Sequence, residues 1–312
     1  MDLSIITVNY NTTNHLKDCL ESIFINIREI SFEIIVIDNN SYEREIEKFP
    51  QIFPSINIIF RDVNDGFGAG CNFGSSISKG KYLLFVNPDV VFESNIFLEM
   101  FSFMEQNAEY GACSPVFVNF EGNLVYTYNK FPNVKWEFFE FLGKGNEREE
   151  KLLLNNEKIL NRSNEPLTVD WLTGACLMIR ADIFKKLKGF DEDYFLYYED
   201  TDLQYRIHEL GYKIACLSNL ILKHFVNSSV KSKDGENVYY FHLNRSKMIF
   251  FYKHSGFFKR NVIRMLMVSG IFLRMIALNF RKRYSDKRIQ KMEQYKRMLK
   301  IYFSGYERLL KL

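Results

Sequence analysis

The amino-acid sequence opens on an apolar run, Leu3–Val8, that stops at Asn9-Tyr-Asn11. Leu16, Leu20, Ile23 and Ile27 then recur at helical spacing, which predicts a helix over 14–28. Phe32–Ile37 is almost continuously apolar and ends in Asp38-Asn-Asn-Ser41. Such runs predict strands covered on both faces of a parallel sheet. A short helix through Phe49 and a strand Ile56–Phe60 follow. A glycine-rich turn over 64–74 then runs into a helix, and a strand Tyr82–Val86 ends in Asn87-Pro-Asp89. Strand alternating with helix at this spacing predicts a doubly wound, mostly parallel α/β sheet. Right-handed crossovers bring the strand C-terminal ends to one edge, where open sheets bind ligands. Asp38, the turn 64–74 and Asp89 all fall at that edge.

The later pattern is less regular. A helix is expected over 97–103, a connector with strands over 104–130, and a loop containing a helix over 131–165. Thr168–Ile179 reads as one strand, in which Gly174 allows close approach, and Ala181–Leu187 as a short helix. Glu199, Asp200 and Asp202 stand directly behind the aromatic run Tyr194, Phe195, Tyr197 and Tyr198. Leu203, Ile207 and Leu210 make the following stretch a helix, so the three acids occupy its first turn. Capping chemistry explains one such acid. Three behind aromatic rings fit a site better, because desolvation raises a carboxylate pKa toward that of a useful base. Arg206 lies four residues after Asp202 and can pair with it, whereas Asp200 has Leu203 and Gln204 at those spacings. Strands are expected over 212–217 and 220–223. His224 follows the second, with a structural and a ligand role equally open.

Asn237–His254 reads as an aromatic helix, and 257–283 is almost wholly apolar. Arg264 and Arg274 interrupt what would otherwise span a bilayer. Arg260, Arg264, Arg274 and Arg281 fall on one side at 100° per residue, which predicts a helix lying in a membrane interface. The alternative is a helix at an oligomer interface, as in a homodimer. Charge sharpens this picture. The whole chain carries +3, but residues 244–312 hold 18 Lys and Arg against 3 Asp and Glu. An acidic body with a basic tail suits an anionic surface. The apolar half of the tail fits lipid better than nucleic acid.

The 312 residues allow one large α/β domain with an appendage, and 47% hydrophobic content supports a packed core. Five scattered cysteines without a CxxC pair exclude a disulfide framework and a zinc site, and suggest reduced thiols in the cytosol. No signal peptide is expected before the first strand. Gly66 and Gly68 match the start of a dinucleotide fingerprint, but the sixth position is Cys71 and the turn follows the third strand. A nicotinamide or flavin dehydrogenase is therefore excluded, as is a Walker phosphate loop. The glycines serve either close approach to a ligand or tight helix–strand packing. Asp89 serves either as a helix N-cap or as a hard oxygen ligand for Mg2+ or Mn2+.

Taken in order, several motifs resemble the inverting family-2 glycosyltransferases of the GT-A fold, and among them the rhamnosyltransferase-like group of bacterial surface-polysaccharide synthesis. They are Ser4–Asn11, Val36–Ser41, Asn64-x-Gly-Phe67 with Gly70 and Asn72, Asn87-Pro-Asp89, Trp171-x-x-Gly174, Gly189–Glu192, and Glu199-Asp-x-Asp202 with Arg206. The resemblance covers about residues 1–230, and 231–312 would be a helical, basic, membrane-associating region. It implies a nucleotide-sugar site of Thr7, Asn9, Asp38, Asn40, Asn64, Gly66, Phe67, Asn72, Asn87, Asp89, Trp171, Gly174, Asp202 and Arg206. Asp38 would contact the base. Asp89 would hold Mg2+ or Mn2+ on the sugar diphosphate, assisted by His224, with Asn87 in place of the first acid of the family's DxD element. Asp200 would be the catalytic base beside Glu199. The donor implied is a dTDP- or UDP-sugar carrying L-rhamnose or a similar hexose. The acceptor would be a lipid-linked saccharide at the cytoplasmic face of the membrane. The alternative is a non-catalytic nucleotide-sugar-binding or membrane-docking protein, which would not need the acidic stretch.

Overall fold

The structure, a computed structural model, describes residues 1–125, 127–142, 165–225, 233–280 and 285–312. It divides into two units. One comprises Met1–Phe131, Leu152–Phe195 and Glu199–Ser228, the other Pro132–Lys151, Leu196–Tyr198 and Ser229–Leu312. The second unit thus takes in residues on the N-terminal side of 230, where sequence had placed a single boundary.

In the first unit the strands are β1 (Leu3–Asn9), β2 (Phe32–Asp38), β3 (Asn57–Phe60), β4 (Tyr82–Val86), β5 (Val90–Val91) and β6 (Tyr110–Val118). They continue with β7 (Tyr128–Asn129), β8 (Leu167–Val169), β9 (Trp171–Leu172), β10 (Cys176–Arg180) and β11 (Lys213–His224). The main sheet runs β3-β2-β1-β4-β10-β6-β11-β5, with β8 alongside β11. Strands β3, β2, β1 and β4 are parallel, and Asn9 lies opposite Asp38 in register. Alternate residues of β1 enter opposite faces. Leu3 and Ile5 pack with Leu16, Leu20, Phe97 and Met100, from helices Thr13–Asn26 and Ile96–Gln106. Ile6 and Val8 pack with Cys71, Ile183, Leu203 and Ile207, from helices Phe67–Ser76, Ala181–Lys186 and Glu199–Glu209. Both faces are covered, so the strands read as unbroken apolar runs.

Two sequence expectations change. Thr168–Ile179 is three short strands: β8 on β11, β9 on β7 in a second sheet, and β10 antiparallel between β4 and β6. Polar residues break the run. The Asp170 carboxylate accepts from the Phe131 amide at 3.0 Å, and the Thr173 amide donates to the Thr127 carbonyl at 2.8 Å. Conversely, the two strands expected at 212–217 and 220–223 are one strand, β11, whose register with β6 shifts between Leu217 and Ile221.

The second unit contains helices Val134–Phe141, Lys233–His254, Phe257–Phe280, Ser285–Tyr302 and Tyr306–Leu310. The rest of the expected 131–165 loop, 143–164, lies outside the described residues, as does Arg281. A buried ion pair, Lys247 to Glu137 at 3.0 Å, sits within this unit. Arg245 Nε donates to the Leu309 carbonyl at 2.8 Å, tying down the last short helix. Helix Phe257–Phe280 buries Ile263, Met267 and Ile271. Its outer stripe is apolar: Phe258 (81% exposed), Met265, Phe272, Leu273 and Ile276. The arginines run against expectation. Arg260 stacks over the Tyr252 ring at 4.3 Å, and Arg264 donates to the Tyr252 hydroxyl, so both face their own unit. Planar guanidinium groups pack on aromatic faces, which a hydropathy pattern does not register. By length and composition, Phe257–Leu278 is also apolar enough to cross a membrane.

Candidate active site

At the end of β2, Asp38 is 3% exposed. Its Oδ1 accepts from Asn9 Nδ2 at 2.8 Å and its Oδ2 from the Ser41 amide at 3.0 Å. Sequence placed Asp38 at the sheet edge where ligands bind, open to a nucleotide base. Instead the Asn39–Ser41 turn folds back over it, with Asn40 in a left-handed conformation (φ 60°) and exposed. Asn9 is also internal, since its second amide bond reaches Ser41 Oγ at 3.1 Å and its carbonyl accepts from Thr12 Oγ1 at 2.9 Å. Thr7 is buried on the same strand, and its hydroxyl has no hydrogen-bond partner among the described residues.

The glycine turn packs on protein. Asn64 Oδ1 accepts from the Gly66 amide at 3.0 Å, and Phe67 donates its amide to the Phe195 carbonyl at 3.3 Å. Gly66 has φ +98°, and a Cβ there would stand 2.1 Å from the Phe195 carbonyl oxygen, so only glycine fits. Asn72 grips the Phe190 backbone through both ends of its amide, at 2.8 Å each, and reaches Glu192 at 2.9 Å. These residues frame the site and anchor the 189–195 segment.

Asp89 and His224 do meet. Antiparallel pairing of β11 with β5 sets His224 opposite Val90, next to Asp89 in the chain. His224 Nε2 lies 3.3 Å from Asp89 Oδ1, both side chains being largely buried. One carboxylate and one imidazole suit a Mg2+ or Mn2+ ion whose other ligands come from substrate phosphates and water. No group of three metal-ligating side chains occurs among the described residues.

The three acids of helix Glu199–Glu209 separate into three environments. Asp202 is fully buried, receiving Arg206 Nε at 2.7 Å and the Tyr194 hydroxyl at 3.2 Å. Arg206 also donates to the Leu187 and Gly189 carbonyls at 3.0 and 3.1 Å, so this pair is architectural. Glu199 is 6% exposed and its Oε2 has no hydrogen-bond partner among the described residues. Burial, and then the charge of Asp200, push the Glu199 carboxyl well above the usual range. Asp200 is half-buried, and burial raises its pKa too. Its Oδ2 accepts from the Gly174 amide at 2.9 Å and its Oδ1 from the Thr201 amide at 2.6 Å. A Cβ at position 174 would come 3.1 Å from Asp200 Cβ, which explains the glycine. The next residue, Ala175, accepts from the Asn87 amide at 2.9 Å. Gly174-Ala175 therefore bridges Asp200 to the Asn87-Pro-Asp89 strand end. Trp171 donates its indole N–H to the Lys130 carbonyl at 3.1 Å.

Sequence reasoning missed two features. Asn39, which donates to the Gly66 carbonyl at 2.9 Å, ties β2 to the glycine turn, and its place in the Asp38–Ser41 motif was the available signal. Phe120 stacks on Phe225 at 3.7 Å, with His15 beside Phe225 at 5.0 Å. The Phe225 amide donates to the Asp89 carbonyl at 2.9 Å, which brings this aromatic group next to the Asp89–His224 pair. Nothing in the spacing of 15, 120 and 225 announces it.

A sheet of this topology, with acids gathered at the C-terminal ends of its parallel strands and at one helix start, defines a GT-A-like glycosyltransferase. The chain belongs to glycosyl transferase family 2, whose model matches residues 4–188. Among its relatives is the N-acetylglucosaminyl-diphospho-decaprenol L-rhamnosyltransferase of Mycobacterium tuberculosis, 24% identical over 67% of this chain and 71% of that protein. Rhamnosyltransferase WbbL of Escherichia coli K12 is 27% identical over 67% of this chain and 78% of its own length. The fold is similar to the mannosyltransferase PcManGT of Pyrobaculum calidifontis, solved with GDP-Man and Mn2+. Its TM-score is 0.58 and its identity 12%, over 99% of this chain and 85% of that one.

Proposed function

We propose that this enzyme transfers L-rhamnose or a similar hexose from a dTDP- or UDP-sugar to a hydroxyl of a lipid-linked saccharide, with inversion. The observation that carries the reading is the Gly174-Ala175 bridge, which ties a carboxylate of raised pKa to the strand end bearing Asp89, the residue that His224 of β11 meets. The names of the relatives supply the sugar and the lipid-linked acceptor. The structural neighbour, solved with GDP-Man, supports a nucleotide-sugar donor, and the choice of dTDP or UDP comes from the motif resemblance.

Asp200 is the base. Backbone N–H groups from Gly174 and Thr201 fix its oxygens, leaving lone pairs for the acceptor hydroxyl proton. That hydroxyl oxygen attacks the anomeric carbon as the bond to the diphosphate oxygen breaks. One displacement inverts the centre and needs no enzyme nucleophile. Asp89 and His224 would hold the cation, which when bound neutralises charge on the departing diphosphate. Asp202 and Arg206 hold the helix in place, and Asp38, Asn9 and Asn64 shape the nucleotide side.

The outer stripe Phe258, Met265, Phe272, Leu273 and Ile276 is the face that enters the lipid, and the basic excess of 244–312 holds the tail to anionic headgroups. In this reading the protein sits peripherally at the cytoplasmic side of the membrane. Incubation with a panel of nucleotide sugars, following release of free nucleoside diphosphate, tests the donor. Turnover should require a dTDP- or UDP-sugar and stop with EDTA; activity untouched by EDTA removes the metal from the reading. Binding to anionic vesicles should weaken with salt and with Phe258→Ser, and binding indifferent to both argues against the membrane role.

A further inference from the structure

Asp38 uses both carboxylate oxygens inside the protein, on the Asn9 amide and the Ser41 N–H. A nucleobase at this strand end therefore finds little to bond to in Asp38. The next strand end offers more. β3 lies beside β2, with Phe60 opposite Asp38 in register. Arg61 follows directly, and its amide donates to the Asp38 carbonyl at 2.9 Å.

The Arg61 guanidinium is held in place. Its side chain is only 18% exposed. Nη1 approaches Asn39 Oδ1 at 3.4 Å, and Nη2 donates to Asp65 Oδ2 at 2.8 Å. The group lies over the Phe73 ring at 5.7 Å. Asn39 is buried and tied in turn to the Gly66 carbonyl at 2.9 Å. The guanidinium thus bridges the β2 end and the glycine turn.

A guanidinium carries five N–H groups in a fixed fork. Two are engaged among the described residues, which leaves three at the ligand edge. Asp65, with a half-exposed side chain, offsets the charge and would repel a phosphate. Arg61 therefore offers directed donors to a neutral group more than a net charge to an anion. A base carbonyl answers that description. Uracil and thymine present one at C4 and guanine at C6, whereas cytosine and adenine present an amine, which would set N–H against N–H.

We propose that Arg61 selects the nucleobase of the donor, by donating to the carbonyl of a uracil, thymine or guanine ring. This rests on the nucleotide-sugar reading above and deepens it. Base choice then lies with a residue outside the motifs at Asp38 and the glycine turn.

Calorimetric titration of the full chain with UDP and CDP, in the presence of Mg2+, tests the idea. Inorganic pyrophosphate serves as the probe of the phosphate side, and thermal unfolding is followed beside it. The native chain should bind UDP about tenfold or more tighter than CDP, the discrimination expected of a well-placed donor pair. Arg61→Met keeps an apolar stem on Phe73 and removes every N–H. Its UDP affinity should fall to the level of CDP, with CDP and pyrophosphate affinities unchanged. If that variant does not fold, Arg61→Gln decides by the same ratio, because its carbonyl can accept from the cytosine amine. A UDP-to-CDP ratio that survives the substitution overturns the proposal, as does equal binding of the two by the native chain. Parallel loss of UDP, CDP and pyrophosphate affinity also overturns it, since Arg61 would then serve the phosphates or the fold. A native chain that binds no nucleoside diphosphate takes down the nucleotide-sugar reading itself, and the role of Arg61 with it.

Discussion

The end of β2 and the start of helix Glu199–Glu209 are both rich in acids and amides, yet they are built on opposite terms. Around Asp38, Asn39, Asn64 and Asn72, these polar side chains find protein partners, at 2.8 to 3.0 Å for their main bonds. Around Glu199 and Asp200, burial outweighs the donors present, which are two amides and a hydroxyl on Asp200, and both carboxyls are pushed toward the neutral form. Satisfied polar groups make a rigid frame. Carboxyls whose pKa burial raises keep the capacity to exchange a proton. On the proposed reading the chemistry belongs to the second region, and the first keeps its shape.

The largest effect expected from this contrast is at Asp200. Asp200→Asn keeps size and hydrogen bonding but removes basicity, and turnover should drop about two to four orders of magnitude, the usual worth of general base catalysis. Nucleotide affinity should persist. A variant with near-normal turnover would erase the contrast and move the role to Glu199.

Asp38→Ala should act on the frame. It strands the Asn9 amide and the Ser41 N–H inside the protein, at a cost of about 1–3 kcal/mol for a buried group left unsatisfied. Thermal unfolding should show that loss, with nucleotide affinity reduced only as far as the fold is. An affinity collapse at undiminished stability would mean that Asp38 touches the base directly.

Glu199→Gln should give the smallest effect, visible as a pH dependence. The folded-state pKa of Glu199 is raised above its ordinary 4.5. The folded state therefore holds the proton more tightly than the unfolded one, and this contribution is fully present below about 4.5. It is lost as pH rises through the raised value. The Gln variant cannot lose it, so its stability should decline less between pH 4.5 and the alkaline end of that window. Parallel stability curves would show that Glu199 is ionised or solvated in the folded state.

The parallel half of the sheet was legible because β1, β2 and β4 are covered on both faces, and that burial writes itself as apolar runs ending in polar turns. The direction of β10 was not, because Cys176–Ile179 is as apolar as a parallel strand and an antiparallel one looks the same. The candidate residues were mostly visible, but their division of labour was not. Spacing brought Asp202 to Arg206, whereas the closure of Asn39–Ser41 over Asp38 depends on a left-handed Asn40 that no pattern marks. The arginines of Phe257–Phe280 misled because side chains that stack on Tyr252 carry the same hydropathy as those that meet water.

The antiparallel strand at the middle of the sheet also governs how the protein is made. Strands β1 to β4 are complete once residue 86 has left the ribosome, and they can pair at once. β6 follows at residue 118, but its sheet neighbour toward β4 is β10, which ends at residue 180. Until then β4 and β6 each present an apolar edge with open backbone groups, the kind of surface that invites wrong partners during synthesis. The far edge of β6 stays open until β11 ends at residue 224, so the interval between residues 118 and 224 is the stretch of translation in which a chaperone on the nascent chain matters most, and synonymous changes that slow it should lower the soluble yield without altering the finished enzyme.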